Sequence, residues 1–154
     1  FVVVTWHDHS PLNIDFDGTC VSHDFPNVGK DIGAVPVLKR LVNNGHNLIL
    51  FTMRGDRFEK KPTKDESIQN VTGLFLTDAI NWFKDNDIPL YGIQTNPTQH
   101  NWTTSPKSYA HLMIDDSALG CPLKYNLEIS ERPFVCWEKV ELYLENMGCF
   151  KKQS

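Results

Sequence analysis

Short apolar runs alternate along this chain with segments of helical periodicity, and this alternation restricts the fold more than any other feature. The strand candidates are residues 12–16, 46–52, 89–95 and 109–116, and the helix candidates are residues 32–45, 66–86 and 137–147. Strands that alternate with helices form βαβ units around a parallel sheet. We therefore predict an α/β fold, built as a three-layer α/β/α sandwich with a central, mainly parallel sheet.

Each helix candidate has an apolar face, which predicts the residues that pack against the sheet. The expected core residues are Val35, Leu38, Leu41 and Val42 in the first helix, Leu74, Phe75, Ala79, Ile80 and Phe83 in the second, and Trp137, Val140, Leu144 and Met147 in the third. Between the second strand and the second helix, a polar stretch from residue 54 to 67 predicts a long loop.

The chain has 154 residues, which suits a single domain with one core over residues 1–154. Residues 1–10 form an extra N-terminal segment, either an added strand or a free tail. This segment lacks the basic region and the long apolar stretch of a signal peptide. The alternating His7, Asp8 and His9 are more typical of solvated side chains than of a metal site.

Charge and cysteine usage narrow the partners and the compartment. The net charge of −4 disfavours nucleic acid as a partner, because capture of a phosphate backbone needs a basic face. No apolar run reaches the roughly 18 residues of a membrane span. The scattered cysteines form no C-x-x-C pair, which is typical of reduced thiols rather than of a disulfide framework or a zinc site. We expect a cytoplasmic protein.

Two strand candidates end in pairs of aspartates. Asp15 and Asp17 follow the first strand, and Asp115 and Asp116 follow the fourth. Ligands of open parallel sheets bind beyond the carboxyl ends of the strands. Carboxylates that meet at this edge are costly unless a cation neutralises them, and an all-oxygen ligand set suits Mg²⁺. The sequence therefore predicts a magnesium site at this edge of the sheet.

Taken in chain order, these strand ends form a series of four motifs. They are Asp15-Phe-Asp17-Gly-Thr, then Thr52-Met53-Arg54, then Lys107, then Asp115-Asp116. The series resembles the signature of the haloacid dehalogenase-like (HAD) phosphatase superfamily over roughly residues 12–125. The resemblance implies a Rossmann-like HAD domain and an active site made from these residues.

The resemblance also implies a role for each residue in phosphoryl transfer. Asp15 is expected to attack phosphorus and form an aspartyl-phosphate, and Asp17 to serve as general acid and then general base. Thr52 and the backbone N–H of Met53 are expected to bind phosphate oxygens. Lys107 is expected to neutralise phosphate charge.

The metal ligands implied by the resemblance are the Asp15 carboxylate, the Asp17 backbone carbonyl and Asp116. Asp115 is then expected to hold the lysine or a metal-bound water. Two interpretations of Arg54 stay open: a bidentate phosphate contact, or a salt bridge to Asp56 or another acidic neighbour.

The substrate is less constrained than the chemistry. The intervals between the motifs are too short for a cap domain, so the site is expected to be open, closed only by loops or by a second subunit of a homo-oligomer. His23, which follows the first motif, and Trp102, in a polar loop, are candidates for substrate contact, although surface packing suits Trp102 better.

The leading hypothesis is a Mg²⁺-dependent phosphomonoesterase acting on a small metabolite such as a nucleotide or sugar phosphate. The alternatives are a nucleic-acid end phosphatase and a phosphate-binding regulatory module without turnover.

Overall fold

The structure is a computed structural model that describes residues 9–151, so most of the predicted N-terminal segment lies outside the described residues. The helices are α1 (Ala34–Asn43), α2 (Phe75–Asp85) and α3 (Trp137–Asn146). The strands are β1 (Pro11–Ile14), β2 (Asn47–Leu50), β3 (Asp56–Arg57), β4 (Gly73–Leu74), β5 (Gly92–Ile93), β6 (Leu112–Ile114), β7 (Leu123–Lys124) and β8 (Phe134–Val135). A 3-10 turn covers Gln99–Asn101.

A four-stranded parallel sheet with the order β5-β2-β1-β6 lies at the centre of the fold. This confirms the predicted α/β class and the parallel central sheet. Ile14 pairs in register with Leu50 of β2 and with Ile114 of β6. The carboxyl ends of these three strands therefore lie level with one another, and the residues after them share one edge of the sheet.

The three helices pack against one face of the sheet. Leu12, Ile14, Leu48 and Leu50 belong to the same buried cluster as the apolar residues of the helices. The helix residues of this cluster are Ala34, Val37, Leu38 and Leu41 of α1, Ala79 and Phe83 of α2, and Trp137, Val140 and Leu144 of α3. The crossovers β1-α1-β2 and β2-α2-β5 run in the same direction across the sheet, and because such crossovers are almost always right-handed, α1 and α2 are expected on the same face.

The opposite face is covered by the connection from β5 to β6, residues 94–111. Asn13 of β1 is buried there, since its neighbours Leu12 and Ile14 point to the helical side. Asn13 Nδ2 donates to the carbonyl of Ser108 (3.0 Å), and Ser108 Oγ donates back to Asn13 Oδ1 (3.1 Å). The connection is thus fixed to the central strand close to the edge that carries the aspartates.

The second helix is shorter than predicted. It begins at Phe75 rather than at residue 66, because Val71, Thr72 and Gly73 have low helix propensity and Gly73 and Leu74 form β4 instead. As a result Leu74 is exposed and is not a core residue. Met147, which follows α3, is exposed as well.

The β7–β8 hairpin is a feature that the sequence did not predict. Leu123 pairs with Val135, and the backbone N–H of Val135 donates to the carbonyl of Gly18 at 2.9 Å. The hairpin therefore lies against the turn that follows β1, and it leads directly into α3.

None of the helices in the described part of the chain is long and apolar enough to cross a membrane. The four cysteines are free thiols. Burial, together with the charges of Asp15 and Asp17, raises the pKa of the Cys20 thiol well above its ordinary value. A buried neutral thiol of this kind is a structural group and not a nucleophile.

Candidate functional site

Three carboxylates meet at the carboxyl edge of the sheet. Each of Asp15, Asp115 and Asp116 offers one oxygen, and these oxygens lie within 4.8 Å of one another. The pairing of β1 with β6 causes this approach, because the Asp15 N–H donates to the carbonyl of Ile114 at 3.0 Å. The predicted convergence is therefore found for these three side chains, whereas the fourth aspartate, Asp17, is bound elsewhere.

Thr19 links the carboxylates of the two strands. Its hydroxyl donates to Asp15 Oδ2 (2.8 Å), and the backbone N–H of Asp116 donates to the same hydroxyl oxygen (3.1 Å). The carbonyl of Thr19 accepts a 2.7 Å hydrogen bond from Trp137 Nε1. Thr19 is fully buried, so its hydroxyl orients Asp15 and Asp116 from the protein interior.

The close approach of like charges changes the protonation of Asp15. Burial and the charge of Asp115 raise the pKa of Asp15 to about 8, so the carboxyl holds a proton near neutral pH when no cation is bound. Burial would raise the pKa of Asp116 too, but its hydrogen bonds with His23 and Asp15 outweigh burial and hold the pKa below its ordinary value.

His23 contacts one of the three clustered carboxylates. Its Nε2 lies 2.8 Å from Asp116 Oδ2, and both side chains are largely buried. Gly18 makes room for this pair: a Cβ at that position would lie 2.1 Å from His23 Nε2 and 2.6 Å from Asp116 Oδ2. Gly18 also has a φ of 79°, which L side chains rarely adopt.

Asp115 is held by its own turn. Its Oδ1 accepts hydrogen bonds from the N–H (2.9 Å) and the hydroxyl (2.7 Å) of Ser117. Both acids of this strand end therefore have one oxygen oriented by a neighbour. The division of roles between Asp115 and Asp116 stays a prediction.

Asp17 forms a bidentate ion pair with Arg54. Arg54 Nε donates to Asp17 Oδ2 (2.8 Å) and Nη2 donates to Asp17 Oδ1 (2.7 Å). The guanidinium also donates to the carbonyls of Phe75 and Asn27. The Arg54 side chain is only 1% exposed, and its donors are directed to protein acceptors.

Arg54 therefore forms a salt bridge with an acidic neighbour, which was one of the two predicted interpretations, and its contact with phosphate stays a prediction. The acidic partner is Asp17, not Asp56, whose carboxylate instead binds the N–H and hydroxyl of Thr77. The Arg54 guanidinium also lies over the Phe16 ring, with its central carbon 4.9 Å from the ring centroid.

The turn after β2 carries Thr52 and Met53. The Arg54 N–H donates to the Thr52 hydroxyl oxygen at 3.1 Å, which leaves the hydroxyl hydrogen for another acceptor. Met53 is almost fully exposed, and no hydrogen bond within residues 9–151 uses its backbone N–H. The turn thus has the two donors that were predicted to bind phosphate oxygens.

Lys107 precedes the serine that binds Asn13, and Asn13 lies two residues before Asp15. The Lys107 backbone therefore lies beside β1 near the carboxylates. Its side chain is exposed and forms no ion pair with any residue between 9 and 151. The Lys107 ammonium group is therefore available to bind phosphate, and its predicted role stays a prediction.

Sequence reasoning missed three contributors to this site. They are the contact of His23 with Asp116, the buried position of Thr19 between two acids, and the contact of the Gln94 side chain with the turn after β2. All three depend on the path that the loops take after the strands. A weak signal was present for Gly18 and Thr19, which follow the first acid pair directly. No sequence signal pointed to Gln94.

The chain resembles one solved structure described as that of a conserved protein coded by a locus from Bacteroides thetaiotaomicron. The two chains share 26% sequence identity with a TM-score of 0.64, over 90% of this chain and 92% of the other. The similarity extends over nearly the whole of both chains, and it supports the α/β fold. No protein-family model matches the chain, and no curated protein matches it.

Proposed function

We propose that this protein is a Mg²⁺-dependent phosphomonoester hydrolase of the HAD type, without a cap domain, that works through an aspartyl-phosphate. The observation that carries the proposal is the meeting of Asp15, Asp115 and Asp116 at one strand edge, with oxygens within 4.8 Å. The proposal includes a three-layer arrangement, in which the connection 94–111 would be the outer layer opposite the helices. The order of the remaining motifs along the chain supports the same assignment.

The donor set fits a small, hard cation. Three carboxylates supply oxygen ligands only, and the raised pKa of Asp15 indicates negative charge that the surrounding side chains do not neutralise. Asp15, the Asp17 carbonyl and Asp116 would hold Mg²⁺, and Asp115 would orient a ligand of the ion. The bound ion would supply positive charge against the phosphate and the nucleophile.

The side chains then divide the chemistry as follows. A carboxylate oxygen of Asp15 forms a bond to phosphorus while the ester oxygen leaves with its electron pair. Thr52 and the Met53 N–H bind non-bridging oxygens, and Lys107 neutralises the negative charge of the phosphate. Thr19 keeps Asp15 oriented because its hydroxyl hydrogen bonds Oδ2 at 2.8 Å.

Arg54 limits what Asp17 does in the conformation described. Arg54 occupies both carboxylate oxygens of Asp17, whereas the general-base role needs one of these oxygens to accept a proton from the water that attacks the aspartyl-phosphate. Donation of a proton to the leaving alkoxide requires Asp17 to turn away from Arg54 with a proton bound. Proton donation therefore includes the cost of breaking a buried ion pair.

Phosphate release from p-nitrophenyl phosphate tests the proposal. The wild type is expected to turn over this ester with Mg²⁺ and to lose activity when the metal is chelated. Asp15→Asn is expected to abolish turnover, and Asp85→Asn, a matched change at the end of α2, is expected to leave it unchanged. Binding of phosphate without turnover by the wild type would identify a binding module instead.

A substrate panel tests the expected class. Nucleotides, sugar phosphates and 3′-phosphorylated oligonucleotides should be compared at equal concentration. The net charge of −4 and the open, acidic site favour small esters over polyanions. A kcat/KM highest for the oligonucleotides would replace the small-metabolite proposal with nucleic-acid end processing.

A further inference from the structure

Gln94 binds the turn that was predicted to hold phosphate. Its Nε2 donates to the carbonyls of Thr52 (2.6 Å) and Arg54 (3.2 Å), and its Oε1 accepts from the Thr52 N–H (2.9 Å). One side chain thus holds the backbone on both sides of Met53. The Met53 N–H, which has no partner among residues 9–151, is left in a turn of fixed shape.

The backbone of Gln94 is itself held in an unfavourable conformation. Its φ is 63°, in the left-handed region that costs a non-glycine residue about 1 kcal/mol. Its N–H donates to the carbonyl of Leu50 at 2.7 Å, which anchors it to the end of β2. The three hydrogen bonds of the side chain are a gain that offsets this cost, and a residue with another side chain would not form them.

Gln99 repeats the pattern five residues later. Its Nε2 donates to the carbonyls of Ser105 (3.0 Å) and Lys107 (3.0 Å), and its Oε1 accepts from the Tyr109 N–H (2.8 Å). Gln99 is buried, whereas the Lys107 side chain is exposed and unpaired among the described residues. The amide therefore fixes the backbone of the segment that carries this cation.

We propose that Gln94 and Gln99 are positioning residues that hold, from the β5–β6 connection, the two segments that bind the substrate phosphate. Gln94 fixes the Thr52–Arg54 turn and Gln99 fixes the backbone of Lys107. The inference rests on the proposed function for the identity of the ligand. It assigns the connection 94–111 a part in phosphate recognition in addition to covering the sheet.

Equilibrium binding of inorganic phosphate in the presence of Mg²⁺, measured by calorimetry, tests this role without requiring turnover. Gln94→Met keeps the length of the side chain and removes its polar atoms, and it is expected to weaken phosphate binding about tenfold. Gln94→Gly removes the side chain but relieves the backbone strain, and it is expected to weaken binding to the same degree. Mg²⁺ affinity should be unchanged in both variants, because the three carboxylates do not contact Gln94.

The control is Asn70→Ala. The Asn70 amide also binds backbone, at the N–H (2.9 Å) and the carbonyl (2.7 Å) of Lys61, but in the exposed connection between β3 and β4. This variant should bind phosphate like the wild type. Wild-type affinity in Gln94→Gly, or an equal loss in Asn70→Ala, would overturn the role of Gln94.

A double-mutant cycle tests Gln99. Gln99→Met should weaken phosphate binding in the wild type but have little further effect in a Lys107→Met background, because Gln99 acts through that lysine. Gln94→Met should weaken binding in both backgrounds. Gln99→Asn, which keeps the amide but shortens the side chain, replaces Gln99→Met if the latter does not fold. Full additivity of Gln99 and Lys107 would contradict the assignment.

The two proposals fail in different ways. Phosphate binding that depends on Gln94 and Gln99, in a protein that hydrolyses no ester, leaves the positioning roles intact and removes the hydrolase. Turnover of esters with wild-type KM in the glutamine variants removes the positioning roles and leaves the hydrolase.

Discussion

Gly18 shows how tightly single residues are fitted around the carboxylates. Its φ of 79° turns the chain after β1, and its missing side chain leaves the space where His23 meets Asp116. Two independent constraints therefore act on one position. The backbone constraint and the space constraint can be separated by experiment, because Gly120 has a similar φ of 88° but nothing within 4 Å of a Cβ added there.

We expect Gly18→Ala to lower the free energy of unfolding by about 3 kcal/mol and Gly120→Ala by about 1 kcal/mol. The common part is backbone strain, and the difference is the clash with the His23–Asp116 pair. Chemical denaturation of both variants measures it. Equal losses would mean that the pair moves aside at little cost, and the crowding argument would then be withdrawn.

Asp17 offers a second test at the level of one side chain. Asp17→Asn keeps the backbone carbonyl that is expected to bind Mg²⁺ but removes the acid–base group, so turnover should fall roughly 10²-fold or more. Metal affinity, measured by calorimetry, should stay close to that of the wild type. A large loss of Mg²⁺ affinity in this variant would assign the carboxylate, rather than the carbonyl, to the metal.

Among the elements, α3 contacts the residues that orient the carboxylates, in addition to packing against the sheet. Its first residue, Trp137, is buried and donates from Nε1 to the carbonyl of Thr19 at 2.7 Å. Thr19 in turn hydrogen-bonds both Asp15 and Asp116. The C-terminal helix thus supports the carboxylate cluster through a single intermediate residue.

Replacing this indole tests the link. Trp137→Phe keeps an aromatic ring but leaves the Thr19 carbonyl without its donor, so stability should fall by about 1–2 kcal/mol and Mg²⁺ affinity severalfold. Trp102→Phe, at an exposed indole that packs edge-on against Tyr109, is the control and should change neither quantity. Unchanged Mg²⁺ affinity in Trp137→Phe would confine α3 to a packing role.

For the molecule as a whole, the protonation of Asp15 links stability to pH. The folded-state pKa of about 8 lies above the ordinary value of 3.8. The folded protein therefore retains a proton that the unfolded chain releases, and the stabilisation this brings is complete below about pH 4 and is lost as the pH rises through 8.

The expected result concerns the metal-free protein. Between about pH 5 and 8, wild-type stability should fall relative to Asp15→Asn by roughly 1–3 kcal/mol, because the amide does not titrate. Added Mg²⁺ should stabilise the wild type more at pH 8 than at pH 5, since it no longer competes with the proton. Denaturation curves of both proteins across this range provide the measurement, and parallel pH profiles would refute it.

The sequence predicted the parts of the site that follow from strand order, and it did so for a physical reason. Asp15 and Asp116 each come directly after an apolar run, and parallel strands bring such ends together. A salt bridge of Arg54 was only one of two open interpretations, and Asp17 was not named as its partner, because the pair depends on the turn after β2 folding back over Phe16. His23 and Gln94 were not predictable as contacts, since loop paths are decided by packing that no local pattern encodes.

The position of β6 in the sheet has a consequence for how the site comes into being. β1 forms near the start of the chain, but one of its two neighbours is β6, about a hundred residues later. Until that segment arrives, the strand bearing Asp15 keeps an open hydrogen-bonding edge, and no partner carboxylates stand beside it. Binding of the proposed Mg²⁺ would therefore report the pairing of β1 with β6, and a chain truncated before residue 112 would carry only one of the three clustered carboxylates, on an unprotected strand.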